Sequence, residues 1–412
     1  MRIAGMRQLE LVTSYRECHE ILRNHRFGGA AGRPEGRAFL GDSVLLVDGE
    51  EHRDRRLMYL PLFREDRLQQ FERTVVRPML AAGYRAHFAT VDDEGWRRGD
   101  LVALTRDVCM RLAAALIGLD NYAEPSSSRR LFQLLRPLGE AAAVEWSERD
   151  HAEVVREGLE AKAAYVEEFF EPAWRRRGER IVRGGGIDDA DAVDLLAVLL
   201  GNWRSHWDDD LPVRESILVL AGSTGNPVGQ IVYAFDDLRT WVAAHPEEQA
   251  ELADEQFVRH AIDETLRLHV AGSPVLVREV YEDVTLASTG RTFKTGEFIG
   301  LDMVAANQDP EVFGADGDQF DPRRWARIPA RVASYGVAFG GGSHTCLGRP
   351  LVLGRSMKMG IEGLEYLTLR SFLDSGVEPD PVGPPRLTSG GQLQYATYPV
   401  RLPAHAELLP AG

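Results

Sequence analysis

At 412 residues the chain has room for two or three domains of about 150 residues each, or for one large enzyme core. Apolar residues at 44% and charged residues at 27% are globular proportions, which excludes disordered, collagen-like and low-complexity classes. A net charge of −15 argues against a nucleic-acid binder, which needs a basic face.

The first predicted element is an amphipathic helix over 12–24, with Tyr15, Cys18, Ile21 and Leu22 on one stripe and Thr13 or Ser14 as cap. Residues 52–63 continue as a helix with a basic face. Residues 101–119 read as a long apolar helix opened by Asp100, and 140–177 as one or two more. The glycine-rich 184–189 reads as a turn or linker. Helical flanks at 213–220 and 231–241 enclose Gly222, Gly225, Pro227 and Gly229, so a kink or an opening is expected there. From about residue 275 the pattern changes. Residues 275–280, 284–286 and 298–301 look like short strands, 294–297 is a turn, and strand character returns at 394–398. An apolar helix is expected over 351–367. The fold class is mainly α with a small sheet at one side, an α+β arrangement.

No apolar run approaches the roughly 20 residues that span a bilayer, and Met1 to Met6 lead into no apolar signal region. Three cysteines cannot make a disulfide framework in so long a chain, and none has zinc spacing. The reading is a soluble protein of a reducing cytoplasm. Cys18 and Cys109 fall on apolar helix stripes, where a cysteine is a small hydrophobe. Cys346 differs. It lies in Phe339-Gly340-Gly341-Gly342-Ser343-His344-Thr345-Cys346-Leu347-Gly348, where glycines let the backbone bend tightly around one thiol. Pro350 suits the first turn of a following helix, whose N-terminus would favour a thiolate, a soft ligand for a metal with one open side.

This stretch matches the haem-binding signature of the cytochrome P450 family, F-x-x-G-x-[RH]-x-C-x-G, at every fixed position. The chain is identified by it as resembling a bacterial haem-thiolate monooxygenase. Other segments agree in order. Glu264 and Arg267 resemble the E-x-x-R helix, 306–310 the A-N-R-D-P segment with Gln308 in place of Arg, and 320–324 the F-D-P-x-R segment. His52 and Arg56, four residues apart, resemble H-x-x-x-R and share a helix face. The resemblance implies haem b held by Cys346 as axial thiolate, a ligand that pushes electron density onto iron and favours O–O cleavage. It implies further that His52, Arg56, Arg278 and His344 reach the propionates, that Phe339, Gly340, Gly348 and Gly222 line the macrocycle, and that Arg324 completes a structural Glu–Arg–Arg cluster.

It also implies one P450 domain over 1–412, with a helical core at about 45–272 and 350–370 and a β-rich part at about 1–45, 273–305 and 380–400. The family usually has about forty more residues before Val12, so the sheet part is expected to be trimmed or rebuilt. The distal helix departs more seriously. Where the family reads [AG]-G-x-[DE]-T-[TS], this chain reads Ala221-Gly222-Ser223-Thr224-Gly225-Asn226-Pro227, without the acid–alcohol pair that delivers protons. Ser223, Thr224 and Asn226 are the candidate relay residues.

The substrate regions implied are 28–46, 134–145, 218–222, 275–277 and the turn at Leu393, with Arg33, Arg37 and Glu145 as polar anchors. The expected activity is tailoring of a natural-product small molecule or peptide by hydroxylation, oxidative coupling or cyclisation. Electrons would come from a ferredoxin or flavodoxin docked near Arg349 and Arg355. The alternatives are a hydrogen-peroxide-using peroxygenase and a non-enzymatic paralogue that activates a glycosyltransferase. An intact Cys346 argues against the latter.

Overall fold

In the computed structural model, which describes residues 9–29, 36–182, 194–354, 360–388 and 394–406, the apolar periodicity is realised mainly as helices. In chain order these are α1 (Tyr15–Ile21), α2 (Arg37–Leu40), α3 (Gly49–Tyr59), α4 (Glu65–Phe71), α5 (Arg77–His87), α6 (Leu101–Ile117), α7 (Pro125–Ala142), α8 (His151–Tyr165), α9 (Glu171–Val182) and α10 (Leu195–Gly201). Then follow α11 (Leu211–Ala244), α12 (Glu255–Leu268), α13 (Met303–Asn307), α14 (Pro310–Phe313), α15 (Arg349–Leu353) and α16 (Leu364–Asp374). Strands β1 (Glu10–Val12), β2 (Phe27–Gly29), β4 (Val275–Val280) and β7 (Phe298–Asp302) form one sheet in the order β1-β7-β4-β2. β4 and β7 are antiparallel, with Val277 opposite Gly300. β3 (Trp96–Asp100), β11 (Pro399–Pro403) and β8 (Glu378–Pro379) form a second sheet. β5 (Val284–Thr285) pairs with β6 (Thr292–Phe293), and β9 (Arg386–Leu387) with β10 (Tyr395–Thr397).

The chain folds as two compact units. Residues 1–10, 28–68 and 109–224 belong to the first, and 11–27, 69–108 and 225–412 to the second. The boundary between 224 and 225 falls inside α11. In the second unit, α1 packs with β4, β7 and α13 around a core that includes Cys18, Ile21, Val280, Ile299 and Leu301. Cys18 is fully buried and its thiol donates to Val12 O at 3.4 Å. Burial pushes that thiol up to about 12, so it acts as the small hydrophobe expected. Cys109 is also buried.

The strands over 275–280 and 298–302 and the helix from 101 stand where the sequence places them. Asp100 caps α6, its Oδ1 accepting from Ala103 N at 2.8 Å. Elsewhere the structure corrects the reading. The first helix is shorter than 12–24, because Val12 belongs to β1. Neither Thr13 nor Ser14 caps it with a side chain. Asp309 Oδ2 accepts from Tyr15 N at 2.9 Å instead. The segment at Pro227 is not opened, since α11 runs unbroken from Leu211 to Ala244. Proline costs a helix interior about 3 kcal/mol. Full burial of an aliphatic or aromatic side chain stabilises by about 1.5–3 kcal/mol, and Leu220, Ile231, Val232, Phe235 and Leu238 are all buried on α11.

The helix expected over 351–367 does not form as one element. α15 ends at Leu353, Gly354 takes φ 76° and Gly363 φ 87°, and α16 begins at Leu364. A Cβ on Gly363 would fall 2.3 Å from Gly354 N, so the backbone closes on itself there in a way only glycine permits. The strand β3 went unread because Trp-Arg-Arg-Gly-Asp has no alternation. Its antiparallel pairing with β11 makes it a strand. The glycine-rich 184–189 lies outside the described residues.

Candidate active site

Phe339 and Cys346 close one turn of backbone in the second unit. Cys346 N–H donates to Phe339 O at 2.9 Å, and a short 3-10 turn, Gly342–His344, fills the space between. Gly342 has φ 63°, and a Cβ on it would lie 2.4 Å from Leu22 O, so this position requires glycine. Cys346 is exposed, and Gly348 beside it would bring a Cβ to 3.8 Å from the sulfur. The ring of Phe339 meets Tyr335 edge-on at 5.2 Å, and Tyr335 OH accepts from Arg349 Nη1 at 3.0 Å. Phe339, Gly340, His344, Cys346 and Gly348 are thus brought together in one loop. α15 has only five residues, so the helix dipole contributes less to a thiolate than the sequence reading supposed.

The loop is held from behind by a buried charge cluster. Glu264 receives Arg267 Nε at 2.8 Å and Nη2 at 2.6 Å, and Arg324 Nε at 2.8 Å. All three side chains are at most 4% exposed. Arg324 also donates to the carbonyls of Phe313, Asp316 and Gln319, and Arg267 to those of Asn307 and Gly317, so the desolvated charges are fully bonded. Asn307 passes this order to the Cys loop. Its Nδ2 donates to Arg267 O at 3.0 Å and its Oδ1 accepts from Val337 N at 2.8 Å, two residues before Phe339. Arg278, on β4, is half-buried and donates to Val277 O.

In the first unit, α3 carries His52, buried, and Arg56, half-buried, on one stripe with the exposed Leu60 one turn on. A histidine–arginine pair followed by bare apolar surface suits an apolar macrocycle that bears carboxylates. The neighbouring Arg55, which the sequence reading passed over, is the structural member of the run. Its side chain bonds Glu51 at 2.6 Å and Glu215 at 3.2 Å. Its i,i+4 spacing from Glu51 was the available signal. Burial pushes the Glu215 carboxyl up to about 7, with Arg55 and the Val44 N–H pulling the other way.

On α11, Thr224 is buried and its hydroxyl donates to Leu220 O at 2.7 Å, so its proton is engaged by its own helix. Ser223 and Asn226 are half-buried. A Cβ on Gly222 or Gly225 would meet nothing within 4 Å, which leaves open space beside the helix. An exposed soft sulfur donor in a glycine-lined loop fits a haem iron. Of the substrate anchors, Arg37 is paired with Asp42 at 2.7 Å. Glu145 keeps a buried Oε2 with no donor among the described residues. Arg33, Arg355 and the Leu393 turn lie outside the described residues.

Comparison with known proteins agrees with a haem-thiolate reading of the Cys346 loop. The family model for cytochrome P450 matches residues 237–357. The chain is 24% identical over 385 residues to cyclooctat-9-en-7-ol 5-monooxygenase of Streptomyces melanosporofaciens, covering 82% of this chain and 76% of that protein. It is 28% identical over 362 residues to nocardicin C N-oxygenase of Nocardia uniformis subsp. tsuyamanensis, covering 84% and 78%. Vitamin D(3) 25-hydroxylase of Pseudonocardia autotrophica matches at 33% over 167 residues, only 40% of this chain and 37% of that one. Among solved structures, CalO2 aligns with TM-score 0.71 at 20% identity over 97% of this chain and 92% of its own. P450BioI in complex with an acylated acyl carrier protein aligns with TM-score 0.69 at 17% identity, over 95% and 92%. The matched family model, the bacterial relatives and the aligned structures are cytochrome P450s, oxidoreductases that bind haem through a cysteine thiolate, and the chain is similar to them over most of its length. Among the described residues no helix is long and apolar enough to cross a membrane.

Proposed function

We propose that this chain is a bacterial, cytoplasmic haem-thiolate oxidase that tailors a natural-product small molecule or peptide, with Cys346 as the axial ligand. The observation that carries this is the exposed Cys346 thiol in a turn closed by the Phe339 carbonyl and braced through Asn307 by the Glu264 cluster. His52, Arg56, Arg278 and His344 bind the propionates, and Phe339, Gly340, Gly348 and Gly222 line the macrocycle. When bound, haem supplies dioxygen activation, in which two electrons and two protons reduce one oxygen atom to water while the other enters the substrate. The electrons come from a ferredoxin or flavodoxin.

Two relatives whose names specify oxidation of cyclooctat-9-en-7-ol and of nocardicin C support the natural-product reading. The chain's own residues favour a reaction that asks little of a side-chain acid at positions 224 and 225. The Thr224 proton is given to Leu220 O, and residue 225 is glycine. Oxidative coupling or cyclisation, in which the substrate supplies hydrogen atoms of its own, suits that arrangement better than unaided hydroxylation.

Reduction under carbon monoxide tests the ligand assignment. The wild-type protein is expected to show the red-shifted Soret band of thiolate ligation, and Cys346→Ser to lose it while retaining its far-ultraviolet spectrum. A wild-type band at the imidazole position, or an unchanged band in Cys346→Ser, would sink the assignment.

A further inference from the structure

From Asn226, at the end of the distal segment, α11 carries a polar stripe that runs on past the family pattern. Asn226, Gln230, Tyr233 and Asp237 follow one another at four, three and four residues, which puts them on one helix face. Each meets the segment around the end of α12. A Cβ on Gly272 would lie 3.8 Å from Asn226 Nδ2. Gln230 Nε2 donates to His269 O. The Tyr233 ring lies flat on the His269 ring, with centroids 4.0 Å apart and planes 6° apart. Asp237 approaches His269 Nε2 to 3.2 Å and accepts from Thr265 Oγ1 at 2.7 Å.

Two features make this more than a packing seam. Gln230 is only 4% exposed, yet its Oε1 has no donor among the described residues. A buried amide oxygen left so costs about 1–3 kcal/mol, so the site calls for a small donor such as water. The His269 side chain keeps 30% of its surface accessible, which gives the imidazole contact with bulk solvent while Asp237 fixes its Nε2 side. The other groups facing it are accounted for. Tyr395, from β10, packs on Tyr233 at 5.1 Å, and it and Tyr398 each donate to Asp236 at 2.6 Å. Both Asp236 oxygens are thereby engaged. Arg239 acts electrostatically on Tyr398.

Resting on the haem-thiolate reading, we propose that His269, oriented by Asp237, is the proton donor that replaces the missing acid–alcohol pair, acting through solvent held by Gln230 and Asn226. Histidine is the side chain whose ordinary range lets it load and release a proton near neutral pH. A protonated imidazole would yield one proton to the solvent on Gln230 and Asn226 and be reprotonated from bulk water, and two such deliveries would match the two protons consumed when one oxygen atom leaves as water. Asn226 and Gln230 change no charge. They orient the solvent between donor and acceptor, which makes His269 and the two amides positioning residues.

The test uses the holoenzyme with His269→Gln, His269→Phe, Asp237→Asn and Gln230→Leu, each first checked for the thiolate carbon-monoxide band. His269→Gln keeps a donor toward Asp237 and so rescues a merely structural role. A positioned general acid contributes about 10²–10⁴-fold, so both His269 variants are expected to lose at least about tenfold in product per electron pair, with hydrogen peroxide released instead and a larger solvent isotope effect. Crystals of the wild-type holoenzyme are expected to show ordered solvent on Gln230 Oε1 that Gln230→Leu lacks. Wild-type coupling in His269→Gln, or a protein donor on Gln230 Oε1 in those crystals, overturns the proposal with the haem reading intact. A wild-type protein without the thiolate band overturns both.

Discussion

Glu264 holds two arginines at once and, through Asn307, sets where the Cys346 loop begins. Breaking a buried ion pair by removing one partner costs about 3–5 kcal/mol, because the remaining charge is stranded in low dielectric. Glu264→Gln strands two guanidinium groups that are at most 2% exposed. It is expected to lower unfolding free energy by about that amount and to yield protein with sub-stoichiometric haem, read by denaturant titration and by the ratio of Soret to protein absorbance. Glu248→Gln, which loses a half-exposed ion pair with Arg323 while the amide oxygen can still accept from Trp241 Nε1, serves as comparison and should cost no more than about 1 kcal/mol. At this scale the sequence was legible where a residue type and a fixed spacing meet, as at Glu264, Arg267 and Cys346. It was illegible where a partner is distant. Nothing near Tyr15 announces that Asp309, 294 residues away, caps its helix, and nothing near Arg55 announces Glu215.

α11 shows how an element overrides a local rule. Gly222, Gly225, Pro227 and Gly229 argue for a break, yet the buried apolar face on either side keeps the helix continuous. Proline at 227 still cannot donate to the carbonyl of Ser223, so that oxygen is free of its usual helical partner. Pro227→Ala restores the donor and removes the ring. It is expected to raise stability by about 1–3 kcal/mol, measured by denaturant unfolding, and to increase hydrogen peroxide leakage per product as the Ser223 carbonyl ceases to hold solvent. A stabilised variant with unchanged leakage would separate the proline from proton handling. The same contest between local and tertiary terms explains the other elements. β4 and β7 were legible because each is a short, largely apolar run, valine-rich in β4, on either side of the turn at 294–297. The interrupted helix after Cys346 was not, because apolar spacing over 351–367 resembles a helix until Gly354 and Gly363 are seen to take positive φ and press backbone on backbone.

Across the whole molecule, the carboxyls most perturbed by burial are pushed upward, and this fixes the sign of the pH response. Glu215, in the first unit, rises to about 7, and Asp263, in the second, to about 6, both chiefly by desolvation. Glu365 lies well above the ordinary range from burial, with the Asp263 charge adding to it. Each of these groups holds a proton in the folded state that the unfolded chain releases at about pH 4 to 4.5. Their stabilising contribution is therefore complete below pH 4 and is lost as pH rises through 6 and 7. The carboxyls held below their ordinary range, such as Asp92 by the Trp96 N–H and then Arg98, and Asp380 by Arg98, act in the opposite sense but lose their contribution only in more acidic solution, outside that window. A net charge of −15 adds self-repulsion on the same side, since it grows as the last carboxyls ionise. Thermal stability of the holoprotein is thus expected to fall steadily from pH 5 to pH 8. One pKa unit corresponds to about 1.4 kcal/mol, so over that range Glu215 accounts for a change on the order of 3 kcal/mol and Asp263 for about half of that. Glu215→Gln and Asp263→Asn remove the titration while keeping shape, so each should flatten the profile by its share, and the double variant by both, because the two sites lie in different units and share no partner. A profile that stays as steep in the double variant as in the wild type would assign the pH dependence to surface repulsion instead, and added salt would then abolish it.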